Sequence, residues 1–240
     1  IKAKTEIGTL YGKYALQRLE ATGKADGVLD IKEEPSYERR ILNHWDNLDN
    51  TVERGYAGWS IWHWGEPVPV DLIKDYARLN ASIGINGTVL NNVNATPEML
   101  NQEKLIRVAE IADILRPYGI KVYLSVNFSS PAALGGLETS DPLVKEVQEW
   151  WAAKVAEIYA LIPDFGGFLV KANSEGLPGP QDFGRTHADG ANMLADALAP
   201  YDGIVMWRAF VYSPKSSDRA NQAVEEFEPL DGQFRDNVII

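Results

Sequence analysis

Six short, apolar, β-branched runs recur along this chain, and helical patterns separate them. They are "RRILNHW" (39–45), "INGTVLNN" (85–92), "IKVYLSVNF" (120–128), "GGFLVKAN" (166–173), "GIVMWRA" (203–209) and "DNVII" (236–240). Apolar runs of this length suit parallel strands buried on both faces. The gaps read as helices. Residues 70–83 place Leu72, Ile73, Tyr76 and Leu79 on one face before Gly84. Residues 97–116 follow Thr96 as N-cap, with Pro97 at the first helical position. Residues 142–161 repeat that device with Asp141 and Pro142, and Val144, Val147, Trp151, Val155 and Ile158 form the inward stripe. A further helix falls within 186–199. Strand and helix alternating roughly every 35–45 residues mean βαβ units and a parallel sheet. Six such units are six of the eight in a (β/α)8 TIM barrel. A doubly wound open sheet is the alternative, although the glycine-rich phosphate fingerprint that often marks it is absent after the first strand.

Ahead of this rhythm, residues 8–22 form an amphipathic helix stopped by Gly23, and the polar stretch 23–37 reads as a linker. Residues 1–32 are therefore assigned to the end of a preceding α/β domain and its linker. Residues 33–240 are assigned to a barrel that is incomplete at its C-terminal end. An open six-strand barrel leaves two edges, "RRILNHW" and "DNVII".

Barrel enzymes carry their chemistry where strands end. Here those ends supply Asn43 to Asn47, Asn91 to Asn94, Asn127, Lys171, Asn173, Glu175, Trp207 and Arg208. Amides, indoles, an acid and two cations on one rim suit a sugar, whose C–H faces stack on rings while its hydroxyls take hydrogen bonds. Glu175 also reads as a solvated loop charge, Trp45 as core, and Lys171 with Arg208 as an ion-pair network closing the mouth. Trp59, Trp62 and Trp64 serve equally well as a sugar platform or as a hydrophobic subcluster. "HWD" (44–46) and "HAD" (187–189) are weak metal signals, and core or capping roles suit their histidines better.

A net charge of −11 without a Lys/Arg stripe argues against nucleic acid. No apolar run approaches the roughly 20 residues of a spanning helix. Zero cysteines exclude disulfides and thiolate metal sites. A reducing compartment fits but does not follow, since many secreted proteins also lack cysteine; the location is unknown, with cytoplasmic favoured over secreted.

The blocks "NHWDNLDNTVERGYAG" (43–58), "LNNVNA" (90–95), "VKANSEGLPGPQDFGRTHADGANMLADAL" (170–198), "GIVMWRAFVY" (203–212) and "PLDGQFRDNVII" (229–240) resemble glycoside hydrolase family 67, the α-glucuronidases. The resemblance implies a (β/α)8 catalytic barrel between an N-terminal α/β domain and a C-terminal helical domain. It implies an inverting enzyme that removes (4-O-methyl)glucuronic acid from the non-reducing end of xylooligosaccharides in xylan degradation. Aldouronic acids and glucuronoxylan oligosaccharides would be its partners, without metal or organic cofactor, and a homodimer is compatible with the full-length enzyme. Residue by residue, Glu175 matches the general acid. Lys171 and Arg208 match residues that bind the uronic acid, Trp45 a tryptophan of the sugar pocket, and Val93 a residue near the 4-O-methyl group. Asn173 and Trp207 complete the expected substrate contacts. The carboxylates that serve as base are expected beyond Ile240, so the isolated 240 residues should be inactive. A non-catalytic carbohydrate-binding fragment, or an unrelated barrel lyase or isomerase, remains the alternative.

Overall fold

The computed structural model describes residues 1–240 except 28, 55–57, 174–175 and 211–216, and the backbone alone at 219–220. The order of elements is α1 (Glu6–Ala21), β1 (Ile41–Asn43), α2 (Val70–Ser82), β2 (Gly87–Val89), α3 (Gln102–Leu115), β3 (Lys121–Val126), α4 (Ser130–Ala133), α5 (Lys145–Leu161), β4 (Gly167–Val170), α6 (His187–Leu198), β5 (Ile204–Trp207), α7 (Arg219–Phe227) and β6 (Val238–Ile239). The strands pair in sequence order, and each pairing is parallel. This simple order removes the doubly wound alternative, whose sheet reverses direction at a switch point. The sheet is a curled half-barrel, six consecutive strands of a (β/α) barrel, with β1 and β6 at its two edges.

All six runs read from the sequence are strands, each shorter than its apolar run. The surplus residues form the strand-end loops. The two faces of the sheet are filled differently. Toward the helices, Leu90, Val122, Leu124, Val126, Phe168, Val170, Val205 and Trp207 join one large core with Val108, Ile111, Leu115, Trp151 and Leu194. Toward the barrel axis, Val89, Tyr123, Leu169 and Ile204 form a small separate cluster, against which Ile41 and Met206 pack. Small residues make room for the Tyr123 ring. A Cβ on Gly87 would come within 2.8 Å of it, and one on Gly166 within 2.2 Å. Next to it, Gly167 has φ +131, and a Cβ there would meet the Ile204 carbonyl oxygen at 2.0 Å.

Two helix starts, and one buried stripe, depart from the sequence reading. The segment 97–116 is not one helix: Pro97–Leu100 is a 3-10 turn and α3 begins at Gln102. Asn101 between them is extended, which lets Met99 and Leu100 both reach the core. Helix α5 begins at Lys145, with Val144 and not Asp141 at its N-cap. The Asp141 carboxylate accepts the Leu143 N–H at 3.0 Å and both arms of Arg185, at 2.9 to 3.2 Å. It therefore ties the loop before α5 to the loop before α6. In α2 the buried stripe is Ile73, Ala77 and Ala81, while Leu72 and Leu79 are exposed. Helix α7 has no counterpart in the sequence reading; it is only nine residues long and polar on average, so its apolar stripe is short. Helix α1 lies against α2, where Arg18 donates to the Ser82 carbonyl, and reaches the turn at Gly119 through Ile7.

Candidate active site

Register places the two expected cations side by side. Val170 of β4 pairs with Trp207 of β5, and the Arg208 N–H continues that ladder to the Val170 carbonyl at 3.0 Å. One residue further, Lys171 and Arg208 therefore follow the inward parity of Leu169 and Met206. Both side chains approach one ring. The Lys171 ammonium is 5.7 Å and the Arg208 guanidinium carbon 5.6 Å from the Phe210 ring centre. An aromatic face holds such cations without neutralising them.

Lys171 is also part of a hydrogen-bonded chain. Its ammonium donates to Asn94 Oδ1. The Asn94 amide nitrogen donates to Glu53 Oε2 at 2.7 Å, and the Asn92 amide donates to the same oxygen at 2.6 Å and to Asn47 Oδ1 at 2.9 Å. Asn92 Oδ1 accepts the Asn94 N–H at 3.0 Å. The Asn92 amide, foremost, holds the Glu53 carboxyl below the ordinary range; the Asn94 amide and the charges of Arg54 and Lys171 add to this, against the opposing effect of burial. Glu53 thus carries a firm negative charge at the rim.

Trp45 and Val93 meet on the axis side. Val93 is buried in the small inner cluster and Trp45 packs on it. The Glu53 N–H donates to the Trp45 carbonyl at 2.9 Å. The Arg54 guanidinium covers the Trp45 ring at 5.5 Å, so a sugar stacking on that face would displace a mostly exposed arginine.

Two expected contacts are used elsewhere. Trp207 turns to the helix side, 1% exposed, edge-on to Phe128. Its indole N–H donates to His187 Nδ1 at 3.0 Å. That bond leaves the proton of a neutral imidazole on Nε2, which lies 2.7 Å from Glu226 Oε1. Burial, the larger effect, lowers the His187 pKa, and Glu226 partly restores it. Trp207 is therefore a core residue beneath the rim and not one of the rim side chains. Asn173 braces the loop after β4: its amide nitrogen donates to Asp182, which also accepts the Gly179 N–H at 2.8 Å. Ser129 Oγ, at the end of β3, fastens the same loop through the Pro178 carbonyl at 2.7 Å. Glu175 lies outside the described residues.

The remaining ring and histidine readings now separate. Trp62 and Trp64 are core, whereas Trp59 is 60% exposed. His44 bonds the Tyr76 hydroxyl at 2.8 Å and packs edge-on to Trp62. Glu53 and Phe210 were not legible as site residues. Glu53 comes eight residues after Trp45 and reaches the rim because the chain folds back on itself at the Asp46–Val52 bridge. No sequence spacing signals such a return.

The profile described as "Glycosyl hydrolase family 67 middle domain" matches residues 19–240. The Probable alpha-glucuronidase A of Neosartorya fischeri is 49% identical over 248 residues, which cover 100% of this chain and 29% of that protein. The Alpha-glucuronidase A of Emericella nidulans is 49% identical over 255 residues, 100% of this chain and 30% of its own length. The chain thus spans under a third of these relatives. Among solved structures, CpGH84B superposes with a TM-score of 0.54 at 14% identity, covering 98% of this chain and 39% of that one. A GH20 β-N-acetylhexosaminidase from Streptomyces coelicolor A3(2) gives 0.52 at 14% identity, covering 92% and 55%. At such identity these two speak for the fold alone.

Proposed function

Since this chain belongs to glycosyl hydrolase family 67, as part of its middle domain, we propose that it is the central barrel portion of an α-glucuronidase. The enzyme removes (4-O-methyl)glucuronic acid from the non-reducing end of xylooligosaccharides, with inversion. The observation that carries this reading is the pair of cations, Lys171 and Arg208, held at adjacent strand ends against the single Phe210 ring.

The protein is strongly acidic overall, at −11, so long-range attraction does not recruit an anionic sugar. Local charge has to do it. Two cations at one mouth repel each other, and a carboxylate placed between them relieves that repulsion. Arg208 can grip it with two parallel hydrogen bonds, and Lys171 contributes a point charge. A neutral sugar brings neither cation a carboxylate, which discriminates against plain glucosides. Trp45 and Val93 on the inner wall would supply the apolar face for the ring and its 4-O-methyl group.

Glu175 is assigned as general acid. An inverting glycosidase needs one carboxyl to protonate the leaving oxygen and a second, roughly 6.5–9.5 Å away, to activate water from the opposite face. The second is assigned to a part of the barrel outside these 240 residues. Asn173, Ser129 and Asp182, which tie down Pro178 and Gly179 after β4, serve the positional precision that proton transfer requires. Residues 1–32 are assigned to the end of the preceding domain.

The test is a leaving-group comparison in the full-length enzyme. Glu175→Ala should slow xylan-derived aldouronic acids by about 10²–10⁴-fold. It should barely affect an aryl glucuronide, whose leaving group departs without protonation. Equal losses on the two substrates would remove Glu175 from the acid role.

A further inference from the structure

Glu53 has no part in the expected chemistry, yet among the described residues near the rim it is a heavily engaged carboxylate. One oxygen takes two amide hydrogen bonds, at 2.6 Å from Asn92 and 2.7 Å from Asn94. Its other oxygen lies 3.8 Å from Arg54. Its backbone N–H holds the Trp45 carbonyl. Asn94 stands between this carboxylate and the Lys171 ammonium.

The orientation of the Asn94 amide follows from its neighbours. An ionised carboxylate only accepts, and an ammonium only donates. An amide between them satisfies both in a single orientation, nitrogen toward Glu53 and oxygen toward Lys171. Asn92 supports this from the main chain, because its Oδ1 accepts the Asn94 N–H at 3.0 Å. The ammonium therefore meets a fixed acceptor on the strand-two side of the mouth.

We propose that Glu53 is a positioning residue for the uronate-binding lysine: through Asn94 it fixes where Lys171 presents its charge, and so sets how tightly the acidic sugar is held. This rests on the assignment of Lys171 to the uronate. Glu53 itself need not touch the sugar. Its negative charge would weaken the binding of an anion if charge alone mattered. Its worth therefore lies in the order it imposes on Asn94 and Lys171, which a long flexible side chain otherwise loses on binding.

Charge and order are separated by two variants. Glu53→Gln keeps an acceptor oxygen for the two amides but removes the charge, whereas Glu53→Ala removes both. In the full-length enzyme, with an aldouronic acid as substrate, Glu53→Ala should raise KM about 5–10-fold with kcat within about twofold, which is the pattern of lost uniform binding. Glu53→Gln should stay within about twofold of the parent in KM. The decisive measurement is a double-mutant cycle. Adding Glu53→Ala to Lys171→Ala should cost nothing more than Lys171→Ala alone, because the group being positioned is gone. Asn94→Ala serves as the independent second variant, with the same expected KM rise and the same silence beside Lys171→Ala. If the Glu53 and Lys171 effects multiply, Glu53 acts by another route and the inference is overturned. It is equally overturned if Glu53→Ala leaves KM unchanged while Lys171→Ala raises it. If Lys171→Ala itself leaves KM unchanged, the uronate assignment fails first and the inference falls with it.

Discussion

Trp207 and Arg208 are neighbours in the chain and have opposite fates. Trp207 faces the helices, sealed against Phe128 and His187 in a continuous apolar core. Arg208 follows the axis side, beside Lys171 and the Phe210 ring. The same alternation separates Val170 from Lys171 on the next strand. A strand turns successive side chains to opposite faces, so one residue of offset divides the closed core from the charged rim. The helix-side face is large and closed; the axis-side face is small and ends in charges. Sequence proximity to a site residue is therefore a poor guide to membership of the site.

The comparison breaks most visibly at Trp207. Trp207→Ala should destabilise the folded protein by about 3–5 kcal/mol, read by denaturant or thermal unfolding, since it empties a sealed volume and leaves His187 without its donor. A variant of unchanged stability with a raised KM would place Trp207 in the site after all. The next largest effect belongs to its neighbour. Arg208→Lys should raise KM for aldouronic acids about 10-fold or more, about 1.4 kcal/mol, with little change in unfolding midpoint. An unchanged KM would argue against a two-bond grip on the uronate.

A smaller effect sharpens the closed face. His187 is enclosed by Trp207, Phe227 and Glu226, and among the described residues Glu226 is the one titratable side chain bonded to it. Burial depresses its pKa below the ordinary 6.5. Above that pH the imidazole is neutral in both the folded and unfolded chain, and it contributes no pH dependence. As pH falls through 6.5 the unfolded chain takes up a proton that the folded one resists, so stability declines. Melting measured from pH 7.5 downward should show this decline, and His187→Gln should flatten it. An identical slope in that variant would assign the decline to other groups. The smallest effect is at the outer loops. Asp141→Asn should cost about 1 kcal/mol or less, because the Arg185 partner is half in solvent, and the loss should shrink further in high salt.

Much of this fold was readable before any coordinates. Six apolar runs gave six strands, and the helical gaps gave α2, α3, α5 and α6, because burial on both faces leaves an unbroken apolar signature. Helix starts were less legible. Asp141 has the right side chain for a cap, but Arg185, 44 residues away, takes its carboxylate. Within the candidate site, Lys171 and Arg208 were found at strand ends, and the structure sets them together. Trp207 and Asn173 were read as contacts for the same positional reason, yet one seals the core and the other braces a loop. Glu53 was invisible, since a fold-back of the chain and two asparagines from the next strand define its place.

By itself, then, the sequence determined the alternation of elements, the parallel sheet and the loops that hold polar groups, because local periodicity and burial are written in residue order. Only the tertiary structure decided which of those polar groups share a mouth. Strand register, the curl of the sheet and the amide links between loops are set by contacts between residues far apart in the chain, and no local pattern encodes them.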